Sequence, residues 1–272
     1  MNKKTILITG STDGIGEQTA GELARRGHRV LLHGRNEKKG KSVMEAIRKD
    51  SENDSLIFYL ADFADLAAVR KMAETIKENE AGLDVLINNA ANYYKERRLN
   101  GAGLEMTFTV NHLASFVLTL HLLPFLKKNA PARIVNVASS AHKNIREVDF
   151  SNLQGEQSYD GFHAYSLSKL GNVLFTQELS RRLEGSGVTV NSLDPGVVDT
   201  KLLHKSFGGG GKSVEEGAQT SIYLADSPQV ADVTGKYFKY EEERQPSDLA
   251  MDEDLQKKFW EASEVLAAEY LG

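Results

Sequence analysis

Tyr165 and Lys169 stand four residues apart in the run Tyr165-Ser166-Leu167-Ser168-Lys169, which puts a phenol and an ammonium on one face of a helix. A free phenol titrates near ~10, and an adjacent cation favours the phenolate. The pair therefore predicts a tyrosine of lowered pKa that exchanges a proton with a substrate oxygen. The spacing alone is common on exposed helices. Its weight comes from Ser139, which follows the apolar run Ala132 to Ala138. Ligand sites in open α/β sheets lie beyond the carboxyl ends of strands, where a hydroxyl can hold a carbonyl. Another apolar run ends in Asn88-Asn89-Ala90, and the long helical pattern after it carries Asn111. Several polar groups are thus expected to converge on one sheet edge.

A second set of residues suits phosphate. The first strand delivers Thr9-Gly10-Ser11-Thr12-Asp13-Gly14-Ile15-Gly16 directly into a helical pattern. Glycines at 10, 14 and 16 let the backbone turn tightly and approach a pyrophosphate at the helix N-terminus, where free N–H groups and the dipole favour negative charge. The second strand ends in His33-Gly34-Arg35-Asn36. An NAD-selective protein usually offers a carboxylate there, whereas Arg35 can pair with a 2'-phosphate. NADP(H) is the expected cofactor and NAD(H) the alternative. Asp62, closing the third strand, is expected to accept from the adenine amino group, and Asn36 and Phe63 are also assigned to the cofactor. Gly211-Lys212-Ser213 mimics the tail of a P-loop, but Ser206 stands where its first glycine belongs and no apolar strand precedes it.

These residues need a scaffold of alternating strands and helices. Short β-branched runs are placed at Thr5 to Thr9, Arg29 to Gly34, Ser55 to Ala61, Leu83 to Asn88, Ala132 to Ala138, Val188 to Leu193 and Gly235 to Tyr240. Helical patterns lie between and after them, at Gly16 to Arg26, Glu37 to Lys49, Leu66 to Glu80, Gly103 to Lys127, His163 to Leu183, Val214 to Leu224 and Asp252 to Leu271. Val85-Leu86-Ile87 and Ile134-Val135 are apolar without alternation, so helices should cover both faces. The expected fold class is α/β, a single Rossmann-type doubly wound parallel sheet of about seven strands filling one domain over residues 1–272. Gly208 to Gly211 reads as a mobile loop, and Leu202 to Lys212 and Ile145 to Phe162 as the segments that select substrate.

Composition narrows the partners. Lys and Arg total 33 against 38 Asp and Glu, which gives no electrostatic case for nucleic acid or an anionic membrane. With no cysteine there are no disulfides or thiolate metal sites. His112 and His121 lack a metal-binding helical spacing, and His142 and His163 lie in loop-like stretches, so no metal is expected. The apolar run after Met1-Asn2-Lys3-Lys4 is too short for a signal peptide, and no stretch approaches the ~20 residues of a membrane span. A cytoplasmic, unanchored protein is the expectation.

Together the residues quoted resemble the short-chain dehydrogenase/reductase family over nearly the whole chain. Thr9 to Gly16 is similar to its glycine motif, Asn88-Asn89-Ala90 to its Asn-Asn-Ala element, and Tyr165 with Lys169 to its active-site pair. Pro195-Gly196, with Val198 and Thr200, resembles the segment that holds the nicotinamide carboxamide. Val110-Asn111-His112-Leu113, Ile134 to His142, Phe150 to Glu156 and Phe175 to Leu179 look most like the retinol dehydrogenase and WW-domain oxidoreductase branch. The resemblance implies Tyr165 as acid/base, Lys169 lowering its pKa and holding nicotinamide ribose, Ser139 orienting the carbonyl and Asn111 fixing a relay water. Asn89, Ala90 and Ala91 would border the cofactor, with Ala91 where the family usually has glycine. It also implies a homodimer or homotetramer through the helices bearing Asn111 and Tyr165.

The reading is hydride transfer between nicotinamide and a small alcohol or carbonyl substrate. Two alternatives stand beside it. One is an NADP(H)-sensing binding protein, which needs the glycine loop but not Ser139, Tyr165 and Lys169; the other is a non-redox lyase or epimerase of the same fold.

Overall fold

The computed structural model describes residues 3–272, with backbone alone for 205–207, so Met1 and Asn2 of the lead-in lie outside the described residues. In chain order the first half runs β1 (Thr5–Ile8), α1 (Gly14–Arg25), β2 (Arg29–Gly34), α2 (Glu37–Ser51), β3 (Leu56–Leu60), α3 (Leu66–Asn79) and β4 (Val85–Asn88). Then come α4 (Met106–Phe108), a π turn (Thr109–Leu113), α5 (Ala114–Lys128), β5 (Ala132–Val137), α6 (Gly161–Arg182), β6 (Val188–Asp194), α7 (Lys201–Phe207) and α8 (Val214–Asp226). The chain closes with β7 (Tyr237–Lys239), β8 (Glu242–Arg244), α9 (Asp248–Met251) and α10 (Glu253–Leu271).

The strands form one sheet in the order β3-β2-β1-β4-β5-β6-β7-β8. Every pairing up to β7 is parallel. Ile6, Leu7 and Ile8 are fully buried, because the sheet separates two apolar cores. One lies under α3, α5, α6 and α10, the other under α1, α2 and α8. This is why the central strands read as continuous apolar runs. The chain reverses its direction of travel across the sheet between β1 and β4, the switch point where doubly wound sheets open a crevice beyond their carboxyl ends. The register aligns Ile8 with Ile87, Asn88 with Asn136, and Val137 with Leu193. Thr9, Asn89, Ser139 and Asp194 therefore leave the sheet along one edge.

The sheet differs from the expected one in its eighth strand. Glu242–Arg244 pairs antiparallel with β7, and all three residues are exposed. A charged edge strand carries no apolar signal, and its charges also discourage edge-to-edge pairing. Met106–Lys128 is long and apolar enough by composition to cross a membrane, with a hydropathy of 1.4, yet 72% of its apolar window is buried within the protein. It is the core helix between the sheet and α10.

The face of α5 and α6 that the resemblance assigned to a partner subunit is covered by α10 of the same chain. Trp260 packs on Phe116 and Phe175 at ring-centroid distances of 5.0 and 5.6 Å. Arg182 lies 4.1 Å over the Trp260 ring, and His112 Nε2 meets Ser263 Oγ at 2.8 Å. Phe259 fills the groove left by Gly171, where an added Cβ would come within 2.8 Å of its ring.

Candidate active site

The four residues assigned to chemistry come together at the carboxyl edge of β4 and β5. Asp160 caps α6 by accepting from His163 N at 2.7 Å, and one turn into that helix Tyr165 is half-buried. The Ser139 hydroxyl hydrogen-bonds the Tyr165 phenol. Ser139 leaves β5 in extended geometry (φ -170°) and caps a 3₁₀ turn over Ser140–Asn144, accepting from Ala141 N at 3.2 Å. Ser140 is exposed. His142, fully buried, holds this turn: its Nδ1 contacts Ser139 O at 2.6 Å and its Nε2 accepts from Ser247 N at 3.0 Å. Lys169 is buried below Tyr165, with Nζ donating to Val137 O at 2.9 Å and lying 5.7 Å from the phenol ring centroid.

Asn111 sits in the π turn, with its side chain locked on three sides. Oδ1 accepts from Asn92 N at 2.7 Å, while Nδ2 donates to Asn92 O and to Ser168 Oγ, both at 3.0 Å. A π turn shifts the helical hydrogen-bond ladder by one residue and is frequent at functional sites. It ties the strand β4 exit to the helix that carries Tyr165. Tyr93, in that exit, stands edge-on to Tyr165 at 6.2 Å.

Electrostatics reverses one expectation. The Tyr165 phenol is not lowered but pushed up to about 12, chiefly by burial; the Ser139 hydrogen bond opposes this and the Asp194 carboxylate adds to it. Lys169 falls to about 8, again by burial, with Asp194 pulling the other way. Removing a phenolate from water costs more here than a cation turned toward Val137 O restores. Asp194 is fully buried and paired with Lys239 at 2.8 Å.

Farther along the same edge the glycine motif forms a close cradle. Gly10 has φ +64°, and a Cβ there would stand 2.9 Å from Ala90 Cα. A Cβ on Gly16 would stand 2.4 Å from Gly10 O. Thr9 Oγ1 accepts from Asn89 N and Ala90 N at 2.9 and 3.0 Å, and Asn89 Nδ2 donates to Thr9 O at 2.8 Å. Asp13 precedes α1 without capping it; its carboxylate pairs with Lys39 and, at 2.8 Å, with Lys201. Thr200, which caps α7, meets Gly14 and so stands across from the glycine loop, while Gly196 lies against Tyr240. A dinucleotide fits this cradle: two glycines whose side chains would collide with backbone, and a helix N-terminus whose own cap is turned away.

Several assigned side chains also make contacts within the scaffold. Ser11 Oγ accepts from His33 N at 2.9 Å, and Asn36 caps α2 by accepting from Lys39 N at 2.9 Å. Phe63 is buried and stacks on His33 at 4.2 Å. Val198 is buried against Gly217 of α8, while Ile15 packs on the second core. Thr12 lies beneath Gly34, whose Cβ it would meet at 2.6 Å. Asp62 is exposed and accepts from Ala64 N at 3.0 Å, and Ala91 is half-buried beside the β4 exit. Arg35 is exposed, with no hydrogen bond or ion pair among the described residues. His33 and His142 were given no role in the site from sequence, because Gly10 and Ala61, which His33 meets, and Ser247, which His142 meets, lie far from them in the chain.

Residues 4–208 match the short chain dehydrogenase family. The chain belongs to that family. Among curated relatives of this dehydrogenase, mouse retinol dehydrogenase 14 is 42% identical over 292 aligned residues, covering 98% of this chain and 86% of the relative. Human retinol dehydrogenase 13 is 42% identical over 276 residues, covering 96% and 83%. The relatives place the chain in the retinol dehydrogenase branch. An uncharacterised Mycobacterium paratuberculosis protein shares the fold with a TM-score of 0.81 and 31% identity, over 97% of this chain and 93% of the other. A Burkholderia cenocepacia short chain dehydrogenase solved in complex with NADP has a TM-score of 0.71 and 25% identity, over 87% and 95%.

Proposed function

We propose that this chain, folded as one unit, is an NADP(H)-dependent oxidoreductase acting on an alcohol/carbonyl pair, with Tyr165 as its acid/base. The observation that carries the reading is the Ser139–Tyr165 hydrogen bond above buried Lys169, on the same sheet edge as the glycine cradle. Bound nicotinamide supplies the hydride chemistry. The chain's own residues do the rest. With its pKa near 12 the Tyr165 hydroxyl is protonated at neutral pH, which suits it to donate a proton to a carbonyl oxygen. Ser139 Oγ, already beside that hydroxyl, holds the same oxygen. Lys169 lies beneath the phenol, where its ammonium favours negative charge developing on Tyr165 Oη.

The 2'-phosphate preference rests on Arg35, an unpartnered cation at the end of β2, where guanidinium geometry suits phosphate. The Burkholderia relative's complex with NADP supports the same choice. Glycines 10, 14 and 16 carry the pyrophosphate, and Pro195 to Thr200 the nicotinamide side. The burial of Met106–Lys128 in the core marks it as a core helix rather than a membrane span. A homodimer or homotetramer would have to use a face other than that of α5 and α6, which α10 occupies.

Purified protein supplied with NADPH and a panel of aldehydes and ketones tests the function. Substrate-dependent oxidation of NADPH, one equivalent per alcohol formed, is expected. Tight NADPH binding without turnover on any member would favour a sensing protein, and product formed without net NADPH oxidation a lyase or epimerase.

A further inference from the structure

His33 ends β2 with an imidazole that is 3% exposed and touches no substrate-facing group. Its two ring nitrogens meet partners of opposite kind. Gly10 N donates to Nδ1 at 3.0 Å, and Ala61 O stands 3.1 Å from Nε2. A backbone N–H can only donate and a carbonyl can only accept, so the ring is neutral with its proton on Nε2. Burial pushes its pKa down to about 4, although the Ala61 hydrogen bond and the Asp62 charge pull upward. The ring is clamped by Phe63 at 4.2 Å. The His33 backbone also exchanges hydrogen bonds with Ser11: Ser11 N donates to His33 O at 3.0 Å, and His33 N donates to Ser11 Oγ at 2.9 Å.

One side chain thus connects the entry of the glycine loop to the end of β3, where Asp62 begins. Gly10 is already wedged against Ala90, and Asn89 Nδ2 holds its carbonyl at 3.2 Å. His33 Nδ1 fixes the other backbone polar group of that residue, its N–H. We propose that His33 is a positioning residue for the nucleotide site, holding Gly10 so that the following N–H groups present a fixed cradle to the cofactor phosphates. The inference rests on the oxidoreductase reading above. It concerns the part of the nucleotide common to NADPH and NADH, so its effect should not discriminate between them.

The two amide side chains separate the ring's two bonds. Asn places an acceptor oxygen near the Nδ1 position, whereas Gln places its amide nitrogen near Nε2. His33→Asn should keep NADPH and NADH dissociation constants within about two-fold of the parent. His33→Gln and His33→Leu, which leave Gly10 N unpartnered, should weaken both nucleotides by roughly two- to ten-fold, in equal proportion. With saturating NADPH, kcat should change little, so the loss appears in the cofactor KM. In the parent, ¹⁵N chemical shifts of the His33 ring at pH 7 should report the neutral Nε2–H tautomer, a measurement that requires no variant to fold. If the parent binds neither nucleotide, the oxidoreductase reading and this inference fall together. If it binds them, then a His33→Gln protein with parental affinity, a loss confined to NADPH, or a ring protonated on Nδ1 would overturn the role of His33 alone.

Discussion

Replacing Lys169 with Met should stabilise the fold while impairing the proposed chemistry. Lys169 is 2% exposed, and burial lowers its pKa from 10.5 to about 8. That shift corresponds to roughly 3 kcal/mol against the folded cation at neutral pH. Against it stands the charged hydrogen bond to Val137 O, of a kind that contributes ~1.5 to 3 kcal/mol. The carbonyl would not be orphaned in the variant, because Asn172 Nδ2 also donates to it at 3.3 Å. Met fills a similar volume without a charge. The difference leaves Lys169→Met more stable than the parent by about 1 kcal/mol at pH 7, a Tm rise of roughly 2 to 4 °C for a chain of this size. The lowered pKa fixes the pH dependence. Its cost is complete below about 8 and is relieved as pH rises toward 10.5, where the unfolded lysine also loses its proton. The parent should therefore gain on the variant through that window. Thermal unfolding followed by circular dichroism at pH 7, 8, 9 and 10 reads both effects. A variant melting several degrees below the parent at pH 7, with a gap that does not move with pH, would refute the reasoning and make Lys169 a structural cation.

Arg35→Asp should weaken NADP(H) by roughly ten- to hundred-fold more than NAD(H), since it exchanges a phosphate partner for a like charge; equal losses in calorimetric titrations would remove Arg35 from the 2'-phosphate. Ser139→Ala should lower turnover by about one to three orders of magnitude, whereas exposed Ser140→Ala should stay within a few-fold in steady-state kinetics. A larger defect in Ser140→Ala would show the wrong serine assigned. Gly171→Leu should destabilise the docking of α10 by ~1 to 3 kcal/mol, because its side chain must enter the space of Phe259 and His112. Urea unfolding followed through Trp260, the single tryptophan, checks this, and a parental midpoint would contradict the packing described.

The parts legible in the sequence were those whose signal is local. Val85-Leu86-Ile87 and Ile134-Val135 announced central strands because both faces of the sheet are covered, and the Tyr165–Lys169 spacing placed two groups on one helical face. Glu242–Arg244 carried no such pattern, since an exposed charged edge has nothing apolar to repeat. The π turn at Thr109–Leu113 is a shift in backbone hydrogen bonding, and no side chain spells it. The direction of the Tyr165 pKa depended on where Lys169 Nζ points, toward Val137 O, and on a buried Asp194 contributed by another strand. Phe63 and Val198, assigned to the cofactor from the sequence, have buried side chains, a direction fixed by the elements packed around them rather than by the local sequence. His33 joins residues 10 and 61 through one ring, a relation that exists only once three strands are side by side.

The central claim is that Tyr165 exchanges the proton in a hydride-transfer reaction, and Tyr165→Phe tests it most directly. Parent and variant would be compared for NADPH binding and for single-turnover NADPH oxidation with one accepted carbonyl substrate. The account predicts binding within a few-fold of the parent and a rate lower by ~10² to 10⁴, since only the phenolic hydroxyl is removed. A Tyr165→Phe protein that oxidises NADPH at the parental rate would contradict it.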